Sequence, residues 1–181
     1  MTEREPTNGT NLDIYGNDVV PWSRPFALLK AQPAEPDMPC FLSTVRPNGV
    51  LHTVGIGALW YDGDFYLASS LGTRQARNVA ANPACTIASR LVGIDMVFEG
   101  EAHPITDCAL LGAIARTYRE GRWPSQVEGD ALTALYSAQA PNLHPSTSFS
   151  FGFTPPSKSL HPNHMARQHG SLIVKRAYSG N

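Results

Sequence analysis

Short apolar stretches separated by turn residues run through the middle of the chain. Such stretches are typical of β-strands, and Asn-Gly or Asp-Gly pairs between them are typical of tight hairpins. Asn48 and Gly49 form one such pair, Asp62 and Gly63 form a second, and Gly93 marks a further turn. The pattern predicts six strands, at residues 40–46, 50–60, 64–69, 84–89, 95–104 and 148–153.

Three short helices are predicted between these strands and before them. Trp22, Phe26 and Leu29 recur at helical spacing and would lay one apolar face on the core. Thr73 and Asp107 are suited to cap the other two helices, at residues 73–81 and 107–120. A chain with many strands and few short helices is mainly β, and it favours a small antiparallel barrel, although periodicity alone does not exclude a sandwich.

The junction between the third predicted strand and the second helix carries the strongest functional signal. Ser69 and Ser70 end the strand, Thr73 opens the helix, and Arg74 and Arg77 lie three positions apart on its surface. The first amide groups of a helix attract anions, and guanidinium groups bind phosphate well. The segment therefore predicts a phosphate-binding site. The alternative is an ordinary solvated helix start with two surface arginines.

Three segments in a fixed order carry a family resemblance: Cys40–Gly49, Leu51–Gly63 and Ala76–Pro83. Together they resemble the strands, hairpin and helix of the pyridoxamine 5'-phosphate oxidase-like flavoproteins, over residues 12–136. Their order and spacing are most similar to the actinobacterial branch that binds FMN or the deazaflavin coenzyme F420. The resemblance implies a six-stranded antiparallel split β-barrel, the FMN-binding split barrel, with two or three short helices. It also implies a homodimer that holds the cofactor in a groove between its subunits.

The resemblance further assigns residues to the cofactor site. The implied phosphate-binding residues are Thr73, Arg74, Gln75 and Arg77, the implied loop-supporting residues are Ser69, Ser70 and Asn78, and the implied ring-lining residues are His52, Thr53 and Gly55. Gln75 departs from the family pattern, because many relatives carry lysine at that position. A neutral amide donates a hydrogen bond without adding a charge, so we expect a weaker phosphate site.

Two of the ring-lining assignments have alternatives that the residues leave open. His52 is equally compatible with an exposed strand histidine. Gly55 and Gly57 lie one pleat apart in a predicted strand, where glycine indicates close approach by another body. That body is either a planar ring or a partner subunit.

The resemblance implies an oxidoreductase that transfers hydride between bound coenzyme F420, or alternatively FMN, and a small-molecule substrate. No side chain stands out as a general acid or base, because in such enzymes the cofactor carries the chemistry. The catalytic residues are therefore left unassigned. A protein of this fold could instead bind a flavin, a deazaflavin or haem without catalysing a reaction.

Composition narrows the class of protein. The 181 residues suffice for one domain with a core, and the formal net charge of −1 gives no indication of nucleic acid binding. The three cysteines lack a C-x-x-C spacing, which favours reduced thiols in a cytoplasmic protein. No membrane span is expected, because no apolar run is long enough for one. No signal segment is expected, because the N-terminus is polar.

Charge is distributed unevenly and suggests a domain boundary. All 15 acidic residues lie before residue 131, whereas residues 143–181 carry four basic residues and no acidic one. We therefore expect an N-terminal arm and short helix at residues 1–39, a split β-barrel domain at 40–153 and a basic Pro- and His-rich tail at 154–181.

Three histidines of this tail have spacing that resembles metal ligands: His161, His164 and His169. No cysteine or carboxylate lies nearby to complete a coordination shell, so no metal site is expected. The composition favours a tail outside the essential core, because it can bury too little to offset the cost of ordering it. The alternative is that Ser171–Arg176 adds an edge strand.

Overall fold

The structure is a computed structural model that describes residues 6, 9–31, 40–121, 123–129, 131–134, 146–154 and 172–175, with backbone only at 134, 146–154 and 172–175. The helices are α1 (Ser23–Ala31), α2 (Arg74–Ala81) and α3 (Cys108–Glu120). The strands are β1 (Gly9–Asn11), β2 (Cys40–Val45), β3 (Leu51–Ile56), β4 (Ala58–Tyr61), β5 (Asp64–Ser69), β6 (Ala84–Leu91), β7 (Ile94–Pro104), β8 (Ser125–Glu128), β9 (Ala131–Ala134), β10 (Ser146–Thr154) and β11 (Leu172–Lys175). The described chain is therefore mainly β, as predicted.

Seven strands follow one another in the hydrogen-bonded order β3-β2-β6-β7-β10-β5-β4, and every neighbouring pair is antiparallel. β3 and β4 stand at opposite ends of this order, although only Gly57 separates them along the chain. The sheet must therefore curl until its two ends meet, which closes a barrel. All six predicted strands are present, and the second is divided at Gly57 into β3 and β4.

Tight turns join the strands where the sequence predicts them. Gly49 has a φ of 81°, and its amide donates to the Arg46 carbonyl at 2.8 Å in the β2–β3 turn. Asp62 and Gly63 have φ values of 48° and 90° between β4 and β5. Two successive positive φ values are the geometry of a type I′ hairpin turn, and the Asp-Gly pair suits it.

The core consists of two apolar clusters on the two faces of β5. Phe65 and Leu67 belong to the cluster inside the barrel, whereas Tyr66 belongs to a cluster covered by α3. Successive side chains of a strand point to opposite faces, so one strand supplies both clusters. Leu29 of α1 is fully buried in the first cluster, and Trp22 packs against it, as the helical spacing predicts.

Four further pairings involve strands beyond the six predicted ones. β8 and β9 form a hairpin, and β9 pairs with β10. β11 pairs with β7 in antiparallel and with β1 in parallel orientation. The described part of the C-terminal segment, Leu172–Lys175, is thus an added strand, which was the alternative considered for it. The three tail histidines lie outside the described residues. Because Leu172–Lys175 pairs with β7, we now favour the alternative that this segment contributes to the fold over a tail outside the essential core.

The helices of the described chain include none that is long and apolar enough to cross a membrane.

Candidate functional site

The loop between β5 and α2 is closed by hydroxyl groups. Thr73 is the N-cap of α2: its Oγ1 accepts a hydrogen bond from the Ala76 amide at 3.3 Å and donates to the Ser70 carbonyl at 2.8 Å. A hydroxyl has a single proton to donate. The 2.8 Å bond between Ser69 Oγ and Thr73 Oγ1 must therefore be donated by Ser69. Both hydroxyl protons are used inside the loop, so these two side chains shape the predicted phosphate-binding segment and offer acceptors only.

Gln75 completes this loop from the first turn of the helix. Its Nε2 donates to Ser69 Oγ at 3.3 Å, and its side chain is half-buried. The amide group has a second proton, which no described residue accepts. Gln75 therefore holds Ser69 in place and retains one neutral donor for a ligand.

Two arginines supply the positive charge of the site at the start of α2. Arg74 and Arg77 are exposed, and neither forms an ion pair with a described residue. The N-cap and the Thr73 carbonyl satisfy the amides of Ala76 and Arg77, which leaves the amides of Arg74 and Gln75 without an acceptor in the described chain. Free amides at a helix start, next to two guanidinium groups, form a site that attracts an anion.

Asn78 lies on the buried side of α2. Its Nδ2 donates to Thr44 Oγ1 of β2 at 2.9 Å, and both residues are almost fully buried. Thr44 Oγ1 lies 3.4 Å from the carbonyl oxygen of His52 on β3. Asn78 therefore faces the barrel and supports the helix from below, which agrees with a supporting role.

The three predicted ring-lining residues are divided between the two faces of β3. His52 lies opposite Thr44 in register and shares the inward face, where it is half-buried. Thr53 and Gly55 lie on the outward face and are exposed. Thr53 Oγ1 is 2.9 Å from Ser43 Oγ. Because adjacent strand residues point in opposite directions, His52 and Thr53 cannot contact the same side of one planar ring.

The outward face of β3 has open space above its glycines. A Cβ atom built on Gly55 or Gly57 meets no heavy atom within 4 Å, and neither residue has a positive φ. Neither packing nor backbone conformation within the described chain thus requires glycine there. Phe41 lies opposite Gly55 in register, and its side chain is 48% exposed. This outward strip, formed by Phe41, Gly55 and Gly57, is a flat apolar surface open to an external body.

Three buried groups of the described residues, Cys40, Cys85 and Tyr118, have displaced pKa values. Burial raises the pKa of Cys85 to about 12, and Glu101 adds to the shift. Burial also raises the pKa of Cys40 and of the Tyr118 phenol, whose hydroxyl donates to the Tyr66 carbonyl at 3.0 Å. These groups stay protonated near neutral pH and are not activated nucleophiles.

Sequence reasoning missed two residues that the structure adds to the site, Thr44 and Phe41. Thr44 follows Cys40 and Leu42 on the inward, buried face of β2. A polar residue at an inward position of an apolar strand needs a buried hydrogen-bond partner. The alternation of buried and exposed positions along β2 could therefore have identified Thr44 from the sequence. Phe41 carries the complementary signal, because it is a large aromatic residue at an outward position.

The family model of pyridoxamine 5'-phosphate oxidase matches residues 21–150, which is most of the chain. A conserved hypothetical protein from Mycobacterium tuberculosis, Rv2991, has a similar structure with a TM-score of 0.58 and 12% identity, over 87% of this chain and 86% of that one. A NimC/NimA family protein from Clostridium acetobutylicum is more distant, with a TM-score of 0.48 and 16% identity over 73% of this chain and 81% of its own.

A protein described as an F420 reductase has a TM-score of 0.44 and 16% identity, over 71% of this chain and 93% of its own, which is too distant to bear on function. No protein of curated function matches the sequence.

Proposed function

Because the chain belongs to the pyridoxamine 5'-phosphate oxidase family, whose members bind flavin-type cofactors, we propose that it is an oxidoreductase dependent on coenzyme F420. FMN is the alternative cofactor, and the second reactant is a small organic molecule. We place the protein in the cytoplasm, where its free cysteines stay reduced.

The observation that carries this proposal is the free positive end of α2. Two amides of α2 have no acceptor among the described residues, and with the exposed guanidinium groups of Arg74 and Arg77 they surround a loop in which Ser69 and Thr73 have already used their hydroxyl protons. A site built only to end a strand and begin a helix needs the hydroxyl groups but neither arginine. The arrangement suits the phosphate group that FMN and coenzyme F420 have in common.

The outward strip supports binding of the ring of the same cofactor. A planar ring can approach a strand closely only where side chains are absent, and Gly55 and Gly57 provide such a surface. Internal packing of the described chain does not require glycine at either position. Thr53, held by Ser43, offers a hydroxyl at the edge of the strip. His52 supports this strand from the inward face and does not contact the ring.

The residues thus have distinct roles in the proposed reaction. Arg74, Arg77 and the amides of α2 bind the phosphate, Gln75 and Thr73 hold the loop, and the strip orients the ring. The cofactor, when bound, supplies or accepts the hydride. The protein fixes the exposed side of the ring toward the substrate and excludes water from it.

We also propose that the active form is a homodimer in which the partner covers the outward strip and the ring between them. Phe41 and Leu51 are 48% and 67% exposed on this face, and β3 stands at one end of the strand order. Exposed apolar residues beside a proposed ligand site favour coverage by a second copy. Light scattering should give about twice the 19.6 kDa chain mass. A monomer that still binds cofactor would exclude a site between subunits.

Turnover tests the enzymatic part of the proposal. The protein is mixed with reduced coenzyme F420, or with reduced FMN, and a series of small organic electron acceptors under anaerobic conditions. Oxidation of the cofactor that depends on both protein and acceptor is expected, and the Arg74→Ala variant should oxidise it more slowly. Tight binding without oxidation by any acceptor would argue against an enzyme.

The second candidate function is a non-catalytic cofactor-binding protein. The specific observation in its favour is Gln75, which donates a hydrogen bond to Ser69. Its neutral side chain adds no charge where many relatives have lysine. A weaker phosphate site suits a protein that releases its cofactor to another. Binding of haem in place of a flavin belongs to the same class, and an absorbance spectrum of the purified protein distinguishes haem, flavin and empty forms.

A further inference from the structure

One buried polar contact joins the two halves of the proposed site. Asn78 of α2 and Thr44 of β2 are 4% and 1% exposed, and Asn78 Nδ2 donates to Thr44 Oγ1 at 2.9 Å. The residues lie 34 positions apart in the chain. α2 otherwise packs on the barrel through the small side chains of Ala76 and Val79. Among the described residues, this is the side-chain hydrogen bond that joins α2 to β2.

The contact continues from β2 to β3. Thr44 accepts the Asn78 proton and has one proton of its own, which points to the His52 carbonyl at 3.4 Å. Asn78, Thr44 and His52 are thus linked by two successive hydrogen bonds that run from the helix to the strand. Successive hydrogen bonds in a low-dielectric interior polarise and strengthen one another.

We infer that Thr44 is a positioning residue that fixes the phosphate-binding end of α2 relative to the ring-binding strand β3. This inference rests on the proposed function. Arg74 precedes Asn78 by four residues and therefore lies on the same side of α2. A shift of Asn78 away from β2 moves Arg74 with it and changes the distance between the phosphate site and the strip. A ligand held at both ends responds to such a shift, because small displacements cost binding and orientation.

The test compares two substitutions at Thr44 with a control elsewhere. Thr44→Val removes the hydroxyl at nearly constant shape, whereas Thr44→Ser retains it. The control is Ser125→Ala, because Ser125 is also fully buried and donates one bond, to the Ala115 carbonyl at 2.9 Å in the cluster covered by α3. Dissociation constants for coenzyme F420 and for FMN are measured by tryptophan fluorescence, and melting temperatures are measured on the same samples.

We expect Thr44→Val to raise the dissociation constant about tenfold, which is the lower end of the loss found when the hydrogen-bond partner of a metal ligand is removed. Thr44→Ser should stay within about twofold of the wild type, since it keeps the hydroxyl group. Ser125→Ala should lower the melting temperature without changing the dissociation constant. If Thr44→Val changes affinity no more than Ser125→Ala does, Thr44 is merely structural and the inference is wrong.

A double-mutant cycle separates positioning from loss of folding. Asn78→Leu with Thr44→Val replaces the buried polar pair by an apolar pair, which avoids an unsatisfied donor and favours folding. If Thr44 acts through Asn78, adding Thr44→Val to Asn78→Leu changes the dissociation constant no further. Independent, multiplicative effects would overturn the inference. Failure of the wild type to bind either cofactor would instead refute the proposed function, and this inference with it.

Discussion

The glycines of the outward strip allow a test in which fold stability and cofactor binding respond in opposite directions. Gly55→Ala and Gly57→Ala each add one methyl group into space that no heavy atom of the described chain occupies within 4 Å. Replacing a strand glycine of ordinary φ by alanine reduces the entropy of the unfolded chain. Each substitution should therefore stabilise the protein by about 0.4–1 kcal/mol.

The same methyl group should weaken binding of a ring that lies on the strip. It forces the ring away from the strand by roughly 1 Å, and a gap of that size loses up to half of each contact's attraction of about 0.1–0.2 kcal/mol. With some tens of atom pairs between ring and strand, the loss is on the order of 1–2 kcal/mol, or about one decade in the dissociation constant.

Urea unfolding and cofactor titration of the same samples measure the two effects. Gly112→Ala is the matched control, because Gly112 lies in α3 and its added Cβ would meet only the end of the Arg116 side chain, at 3.9 Å. The control should gain stability and keep its affinity. Unchanged affinity in both strip variants would refute ring binding on this face. Loss of the dimer without loss of cofactor affinity would assign the strip to the partner subunit alone.

Further predictions concern the charges, the thiols and the C-terminal segment. Arg74→Ala should raise the cofactor dissociation constant by about one to two decades, because a charge-assisted bond contributes about 1.5–3 kcal/mol. Arg116→Ala, which removes another exposed helix arginine, should leave it unchanged. Gln75→Lys should tighten binding in the same titration, and unchanged constants in both site variants would place the phosphate elsewhere. Cys108 is exposed, whereas the other two cysteines are buried. A thiol reagent at pH 8 should therefore modify one thiol of the native protein and three in denaturant. Rapid reaction of all three in the native protein would contradict the buried positions. Truncation after Thr154 removes the strand paired with β7, so the melting temperature should fall by several degrees, and an unchanged value would show that the segment is dispensable.

Alkaline stability follows from the buried thiol of Cys85. Its pKa is about 12 in the folded chain, above the value of about 8.5 for a free cysteine. Below the unfolded pKa both states hold the proton, and the stabilising contribution of the neutral buried thiol is complete. It is lost as the pH rises from about 8.5 through the folded pKa. Urea unfolding at increasing pH should show this decline, and Cys85→Ser should make it less steep; equal slopes would contradict the assignment.

Local signals predicted most of the barrel. Asp62-Gly63 has the chemistry of its turn, Thr73 and Asp107 cap their helices, and the strand boundaries agree to within a few residues. These features depend on neighbouring residues, which is why sequence alone suffices for them. The predicted strand at 50–60 is divided at Gly57, where the chain leaves one edge of the sheet and enters the other. The two edges come together only in the closed barrel.

Pairings between distant segments could not be predicted in the same way. β1 has the polar sequence Gly-Thr-Asn, and it becomes a strand because β11 lies beside it. β8 and β9 are four residues each, too short to show a period. For the candidate site, the phosphate-binding loop was predicted from one continuous segment. The bond from Asn78 to Thr44 depends on how α2 packs on β2, which neither segment contains by itself. The opposite orientations of His52 and Thr53 follow from alternation along one strand, so the sequence does contain that signal.

Cofactor binding by the purified protein is the premise of the proposed function. Freed of any bound cofactor, the wild type is titrated with coenzyme F420 and with FMN in parallel, and intrinsic tryptophan fluorescence is followed. Both cofactors should bind, and under the proposed function coenzyme F420 should bind more tightly. Tighter binding of FMN would reverse the choice of cofactor. Binding of neither would contradict the proposed oxidoreductase.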